Sequence, residues 1–177
     1  MSRHSKNSTR TQSANRVRKP FSPRLEYLED RAVPTAYVVN TTDDGFVADG
    51  NTSLREAMFA ATLNKVTSDA AAGSPTDPDE ITFNLGAGSH TISLSKFGLL
   101  PIISSNCGPL SILGPTSESL TLSGGKTVQY GLNVDGQTDV VIRDLTMTGF
   151  AAAAVRVADG GSATVQGCEL LVNDGHG

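Results

Sequence analysis

Four charged residues lie within a short stretch of the second half of the chain: Asp139, Arg143, Asp144 and Arg156. Acidic side chains that converge on a groove beside a cation can cleave a polysaccharide. The carboxylates act as acid and base or hold calcium, and the Lys or Arg takes a proton or stabilises developing charge. Solvated outer side chains and turn formers have the same composition, and that is the expectation for these four. A second acidic group, Asp43, Asp44 and Asp49, lies in the turn-rich stretch 41–51 and has oxygens to offer calcium. Asp-Gly, present at 44, 49, 135, 159 and 174, is equally a favoured turn dipeptide. Neither EF-hand spacing nor a glycine-aspartate nonapeptide repeat occurs, so no cofactor is expected, with calcium on those three aspartates as the alternative. His4, His90 and His176 do not pair with either cysteine, and Cys107 and Cys168 are too far apart for a zinc spacing. Both cysteines read as small buried hydrophobes, and spacing alone does not decide whether they form a disulfide. The chain has no Gly-x-Ser-x-Gly elbow, phosphate-cradling glycine loop or dinucleotide fingerprint. No nucleophile is nominated.

The elements that would position these groups are almost all short strands. Trp is absent and aromatic residues are only 5% of the 177, so the interior must be built from Val, Ile, Leu and Ala. Tyr37-Val38-Val39-Asn40 reads as a strand. Ser53-Leu54-Arg55-Glu56 is a capping box: the Ser hydroxyl accepts from the Glu56 amide while the Glu carboxylate reaches back to the Ser53 amide. Leu54, Ala57, Met58 and Ala61 follow at i, i+3, i+4 and i+7, which predicts an amphipathic helix over 53–63. The stretch 65–78, rich in Ala, Ser, Gly, Asp and Pro, ends it as a surface loop.

From Asp79 onward every apolar run is short and most alternate with polar residues: 81–83, 91–94, 101–103, 110–113, 120–122, 131–134, 140–142, 145–147, 155–157, 164–165 and 168–170. Glycine-containing turns separate them. A shift of 23 lays Ile142 on Val165, Asp144 on Gly167, Leu145 on Cys168 and Met147 on Leu170. Such a period indicates stacked units, with equivalent apolar residues one above another about 4.8 Å apart inside a right-handed coil. A parallel β-helix follows, with Asp139 just before a strand and Asp144 at a turn between strands. An antiparallel sandwich of about ten strands fits the turn spacing as well.

Charge divides the chain. Residues 1–35 hold 8 Lys/Arg against three acids, Glu26, Glu29 and Asp30, whereas residues 36–177 hold 6 Lys/Arg against 15 acids, a balance of −9. Such a body repels phosphate, so nucleic acid is not an expected partner. The basic arm, 1–35, reads as disordered, with one short helix between Pro20 and Pro34. No apolar run is long enough for a transmembrane segment, and the arm lacks the apolar core of a usual signal peptide.

Three pieces taken in order, Tyr37-Val38-Val39-Asn40-Thr41-Thr42-Asp43-Asp44-Gly45, Ser53-Leu54-Arg55-Glu56-Ala57 and Asp79-Glu80-Ile81-Thr82-Phe83, resemble the opening of a family of bacterial extracellular right-handed parallel β-helix proteins. That family is related in pattern to polymorphic outer-membrane proteins and to domains with variable C-terminal anchors. Leu100-Pro101-Ile102, 110–115 and 141–147 look like its successive coils, and the likeness covers roughly 36–173. Leu25-Glu26-Tyr27-Leu28-Glu29-Asp30-Arg31 is similar to an N-terminal surface-protein motif that accompanies export. One departure is Thr52, where the family commonly has a Cys, so any disulfide made there is missing.

The expected architecture is therefore all-β: a right-handed parallel β-helix over 36–177, incomplete at its C terminus, with a short capping helix and a disordered basic arm. The cap is assigned to Ser53, Leu54, Glu56, Ala57 and Met58, with Leu54, Ala57 and Met58 packing beneath Ile81 and Phe83. The resemblance implies an extracellular or cell-envelope location and a non-catalytic scaffold or adhesion module. Its partners would be cell-surface or matrix components, polysaccharide included, and the uncapped last rung from Val165 to Leu170 would allow self-association. The alternative is a pectate-lyase-like enzyme, or a carbohydrate-binding remnant of one, on the same fold.

Overall fold

The structure, a computed structural model, describes residues 34–116 and 118–173. The expected short helix between the two prolines and the export-associated motif lie outside the described residues.

Among the described residues twelve strands and one α-helix follow in chain order: β1 Thr35–Val39, α1 Leu54–Leu63, β2 Asp79–Phe83, β3 His90–Ser93, β4 Ile103–Ser104, β5 Leu110–Leu113, β6 Leu120–Ser123, β7 Tyr130–Asp135, β8 Val140–Arg143, β9 Thr146–Thr148, β10 Ala153–Ala158, β11 Ala163–Gln166 and β12 Glu169–Leu171. They form three sheets, ordered β1-β2-β5-β8-β11, β12-β9-β6-β3 and β10-β7-β4. From β2 onward the chain visits the three sheets in that order three times, and β11 and β12 begin a fourth circuit. Every strand pair is parallel. Among the described residues the antiparallel pairing is a single isolated bridge, Ser104 to Gly136. The sandwich reading is thereby overturned: its hairpins would place consecutive strands side by side, whereas here sheet neighbours are separated by a whole circuit.

The alternation read from the sequence sets which face is dry. Ile81, Ile112, Ile142 and Val165 are register partners in turn. So are Ile92, Leu122, Met147 and Leu170, with Leu122 paired to Met147 and Met147 to Leu170. Ile103, Val134 and Val157 form a third column. The shift of 23 is thus the register of the last circuit, in which Val165 faces Ile142 and Leu170 faces Met147. Phe150, the largest fully buried side chain, enters a slot between circuits. A Cβ on Gly124 would stand 2.5 Å from its Cδ1 and one on Gly131 2.9 Å from its Cζ.

Helix α1 occupies the interval between β1 and β2, where later circuits place strands in the other two sheets. Ser53 caps it as read: its Oγ accepts from the Glu56 amide at 3.1 Å and its own amide donates to Glu56 Oε2 at 2.9 Å. Leu54, Ala57 and Met58 are wholly buried, and the helix packs on β1 and β2. The two ends of the stack differ sharply. Ile92 and Ile103, on the edge strands β3 and β4, are fully covered, whereas Val165 and Leu170, on the edge strands at the other end, are 40% and 50% exposed.

Three local expectations change. The helix is not half-exposed: Arg55, Glu56 and Thr62 on its polar side are also buried, because each has a specific polar partner. The expected strand at 101–103 shortens to Ile103–Ser104, since Pro101 has no amide to give a ladder. β1 begins at Thr35, whose amide donates to Pro78 O at 3.1 Å, so the ordered body includes the last residue assigned to the arm.

Candidate functional site

The capping helix is clasped from outside by a buried ion pair. Arg55 Nε and Nη2 donate to the two oxygens of Asp44 at 2.7 and 2.9 Å, while Nη1 donates to Leu99 O at 2.7 Å and Nη2 also to Gly98 O at 2.8 Å. Both side chains are almost wholly buried. A bidentate guanidinium–carboxylate fork with further donors bonded to backbone carbonyls is the geometry in which a buried pair is retained. The arrangement ties three distant pieces together: the turn at 44, the helix, and the segment following the 3₁₀ turn Leu94–Lys96.

That closure leaves an open groove of about 410 Å³ between residues 42–47 and 91–97. Asp43, Val47, Thr91, Ser93, Lys96 and Phe97 line much of it. Phe97 is 49% exposed. Arg55 stands 5.8 Å from its ring centroid and Lys96 Nζ 4.9 Å, within cation–π range. Gly45 abuts the ring edge: a Cβ there would lie 3.5 Å from Phe97 Cε2. Aromatic, hydroxyl, carboxylate and ammonium groups thus share one accessible concavity.

The expected site residues are dispersed. Asp44 spends both oxygens on Arg55, which makes it a structural counter-ion and takes it from the set offered to calcium. Asp43 is exposed in the groove wall. Asp49 Oδ1 accepts from the Asn51 amide at 2.8 Å, a turn-forming contact, and Asp69 Oδ2 accepts from the Asp49 amide at 2.9 Å. Among the described residues no three His, Cys, Asp or Glu side chains gather as metal ligands.

Asp139 immediately precedes β8 and Asp144 follows it, as read. Asp144 adopts φ 56°, a left-handed turn, and its carboxylate occupies the space a Cβ on Gly167, one circuit on, would need. Arg156 stands in a different sheet, on β10, where its Nη1 donates to Asn133 Oδ1 at 2.8 Å and its Cζ lies 5.6 Å from the Tyr130 ring centroid. The four charged residues therefore do not share one strand face.

Sequence reading missed a different acidic pair. Asp135 closes β7 and Asp159 follows β10, on neighbouring circuits. The neighbouring Asp159 carboxyl raises the Asp135 pKa, with burial adding and Arg156 opposing. The available signal was the pair of Asp-Gly dipeptides roughly one circuit apart.

The other unusual polar group is internal. Asp79 and Tyr37 are buried, and neither the carboxylate nor the phenol has a hydrogen bond of ordinary geometry among the described residues. Burial pushes the Asp79 carboxyl up. The Thr35 hydroxyl and the Ser74 amide face it and partly offset this, while the Asp77 charge adds to it. Tyr37 is pushed up by burial and then by Asp79. Gly73 lines this spot, where a Cβ would meet Asp79 Oδ2 at 2.5 Å.

Cys107 is buried and its thiol is pushed up chiefly by burial; Cys168 is half-buried, and both are free. His90 is half-buried on β3, and its buried Nε2 has no hydrogen-bond partner among the described residues. No described helix is long and apolar enough to cross a membrane. Comparison with protein-family models, curated proteins and solved structures finds no match.

Proposed function

We propose that this chain is a module of a secreted or cell-envelope protein that serves as a non-catalytic scaffold or adhesive surface, built as a right-handed parallel β-helix. The observation that carries the reading is the in-register stacking of aliphatic residues across three parallel sheets, as in the run Ile81, Ile112, Ile142 and Val165. A stack of this kind buries its apolar side chains along one axis and turns its polar side chains outward, giving a long regular surface suited to holding other molecules. The buried charges add support: Arg55, Asp44 and Glu56 are all engaged in fixing the helix and its flanking loop. The resemblance of the Ser53–Ala57 and Asp79–Phe83 segments to bacterial surface β-helix proteins agrees with the proposed location.

The test is retention of the purified protein on cell-surface or matrix material, run beside an assay for cleavage of acidic polysaccharides with and without calcium. Retention without new ultraviolet-absorbing products or reducing ends is expected. Products from the wild-type chain would overturn the non-catalytic reading.

One observation favours the enzyme as a second reading. Asp135 and Asp159 stand on neighbouring circuits near Arg156, and the Asp159 carboxyl raises the Asp135 pKa. Loss of products in Asp135→Asn would assign chemistry to that pair.

A further inference from the structure

We propose that the groove at Phe97, continued by the outer face of the four-stranded sheet, binds a neutral polysaccharide chain. The proposal rests on the adhesive reading and names its ligand class. Ile92, Leu122 and Met147 point inward and are fully buried, so the residues flanking Ile92 and Leu122, and Thr148 after Met147, point out. The outward hydroxyl residues stand in register: Thr91 pairs with Thr121, while Ser93 pairs with Ser123 and Ser123 with Thr148; Thr146, the next in the first column, is buried. The result is two hydroxyl columns about 4.8 Å apart from rung to rung, with successive outward residues in a strand roughly 6.8 Å apart. Thr91, Thr121, Ser123 and Thr148 make no side-chain hydrogen bond to another described residue, so their hydroxyls are available to a ligand.

The first rung of this face opens into the groove, because Thr91 and Ser93 line both. There the exposed Phe97 ring supplies an apolar platform that a sugar's C–H face can cover, and Asp43 supplies a strong acceptor for sugar hydroxyls. Charge selects the ligand class. Asp44 is neutralised by Arg55, and the groove's other charged side chains, Asp43 and Lys96, are of opposite sign. A near-neutral cleft on a body of charge −9 disfavours uronic-acid polymers and nucleic acids, and its hydroxyl lining matches a ligand that is itself mostly hydroxyl.

The experiment titrates the intact chain with neutral hexasaccharides (cellohexaose, laminarihexaose and xylohexaose) and with hexagalacturonate, by calorimetry. It uses wild type, Phe97→Ala, and the double variant Thr91→Val/Thr121→Val, which keeps β-branched shape while removing two hydroxyls. Binding of at least one neutral hexamer is expected, weakened on the order of tenfold in Phe97→Ala and severalfold in the double variant, with unchanged melting temperature in the latter. The double variant keeps the test decisive if Phe97→Ala unfolds. Equal binding in the folded variants, or preference for hexagalacturonate, would overturn the proposal. So would inhibition of ice growth with no saccharide binding, which would assign the hydroxyl array to ordered water. Retention on cell-surface material that is unchanged in the variants would sink this site while leaving the adhesive reading intact; loss of retention in wild type would sink that reading itself.

Discussion

The contrast between the two ends of the stack gives a paired prediction in which the chemistry is held constant. Leu54 on the capping helix is wholly buried, and Leu170 on β12 is half exposed. Leu54→Ala removes buried methyl groups and leaves a cavity that the clasped helix cannot close. The cost is about 2–5 kcal/mol, the range for leucine truncation in a packed core. Leu170→Ala should cost about 1 kcal/mol or less, because half the side chain is already in water and no enclosed void results. In a body of this size 1 kcal/mol moves the melting temperature by roughly 2–4 °C, so the first variant should fall on the order of 10 °C and the second only slightly. Far-ultraviolet circular dichroism during urea and thermal unfolding reads both, and an unchanged urea slope would confirm that the same surface is exposed on unfolding. Equal losses in the two variants, or a larger loss at Leu170, would refute the claim that the helix seals its end of the stack.

Other outcomes follow from the same geometry. Met58→Asp places an unpaired charge at a fully buried helix position and should destabilise by several kcal/mol, with an unchanged melting temperature counting against the cap. Arg55→Met should cost about 3–5 kcal/mol because it strands the Asp44 carboxylate, while Arg55→Met with Asp44→Leu should recover much of that loss; additive losses in the double-mutant cycle would show that the pair is not coupled. Asp79 has a folded pKa raised above its unfolded value, so its favourable contribution is complete below about pH 4 and is lost as pH rises through the folded value. Asp79→Asn should therefore flatten the decline in stability above about pH 4. Identical pH profiles for the variant and wild type would remove Asp79 as the cause.

Periodicity and local hydrogen-bond chemistry were legible in the residues. The capping box needs only Ser53 and Glu56, three positions apart, and it formed with both of its bonds. The alternation of Ile92, Leu122 and Met147 with hydroxyl residues gave their strands and buried face directly. The 23-residue register was visible because the last circuit has short connections. Earlier circuits pair Leu110 with Val140 and Asp79 with Leu110, wider offsets lengthened by loops, so the same stacking is hidden from a search at one period. What the sequence did not disclose depends on contacts between segments with no shared pattern. The role of Arg55 is fixed only when the Gly98 and Leu99 carbonyls, more than 40 positions away, are brought to it. The groove has the same origin, since residues 42–47 and 91–97 meet only after the first circuit closes. Asp135 and Asp159 were legible as turn residues, but their proximity arises from stacking one turn on another.

The central claim is the parallel stacking of circuits, and interstrand nuclear Overhauser contacts in the isotopically labelled chain test it most directly. Backbone contacts should link the neighbourhood of Ile112 to those of Ile81 and Ile142, and Val165 to Ile142, with the Met147 region joined to Leu122 and Leu170. Antiparallel contacts between strands consecutive in the chain, such as 110–113 with 120–123, would contradict it.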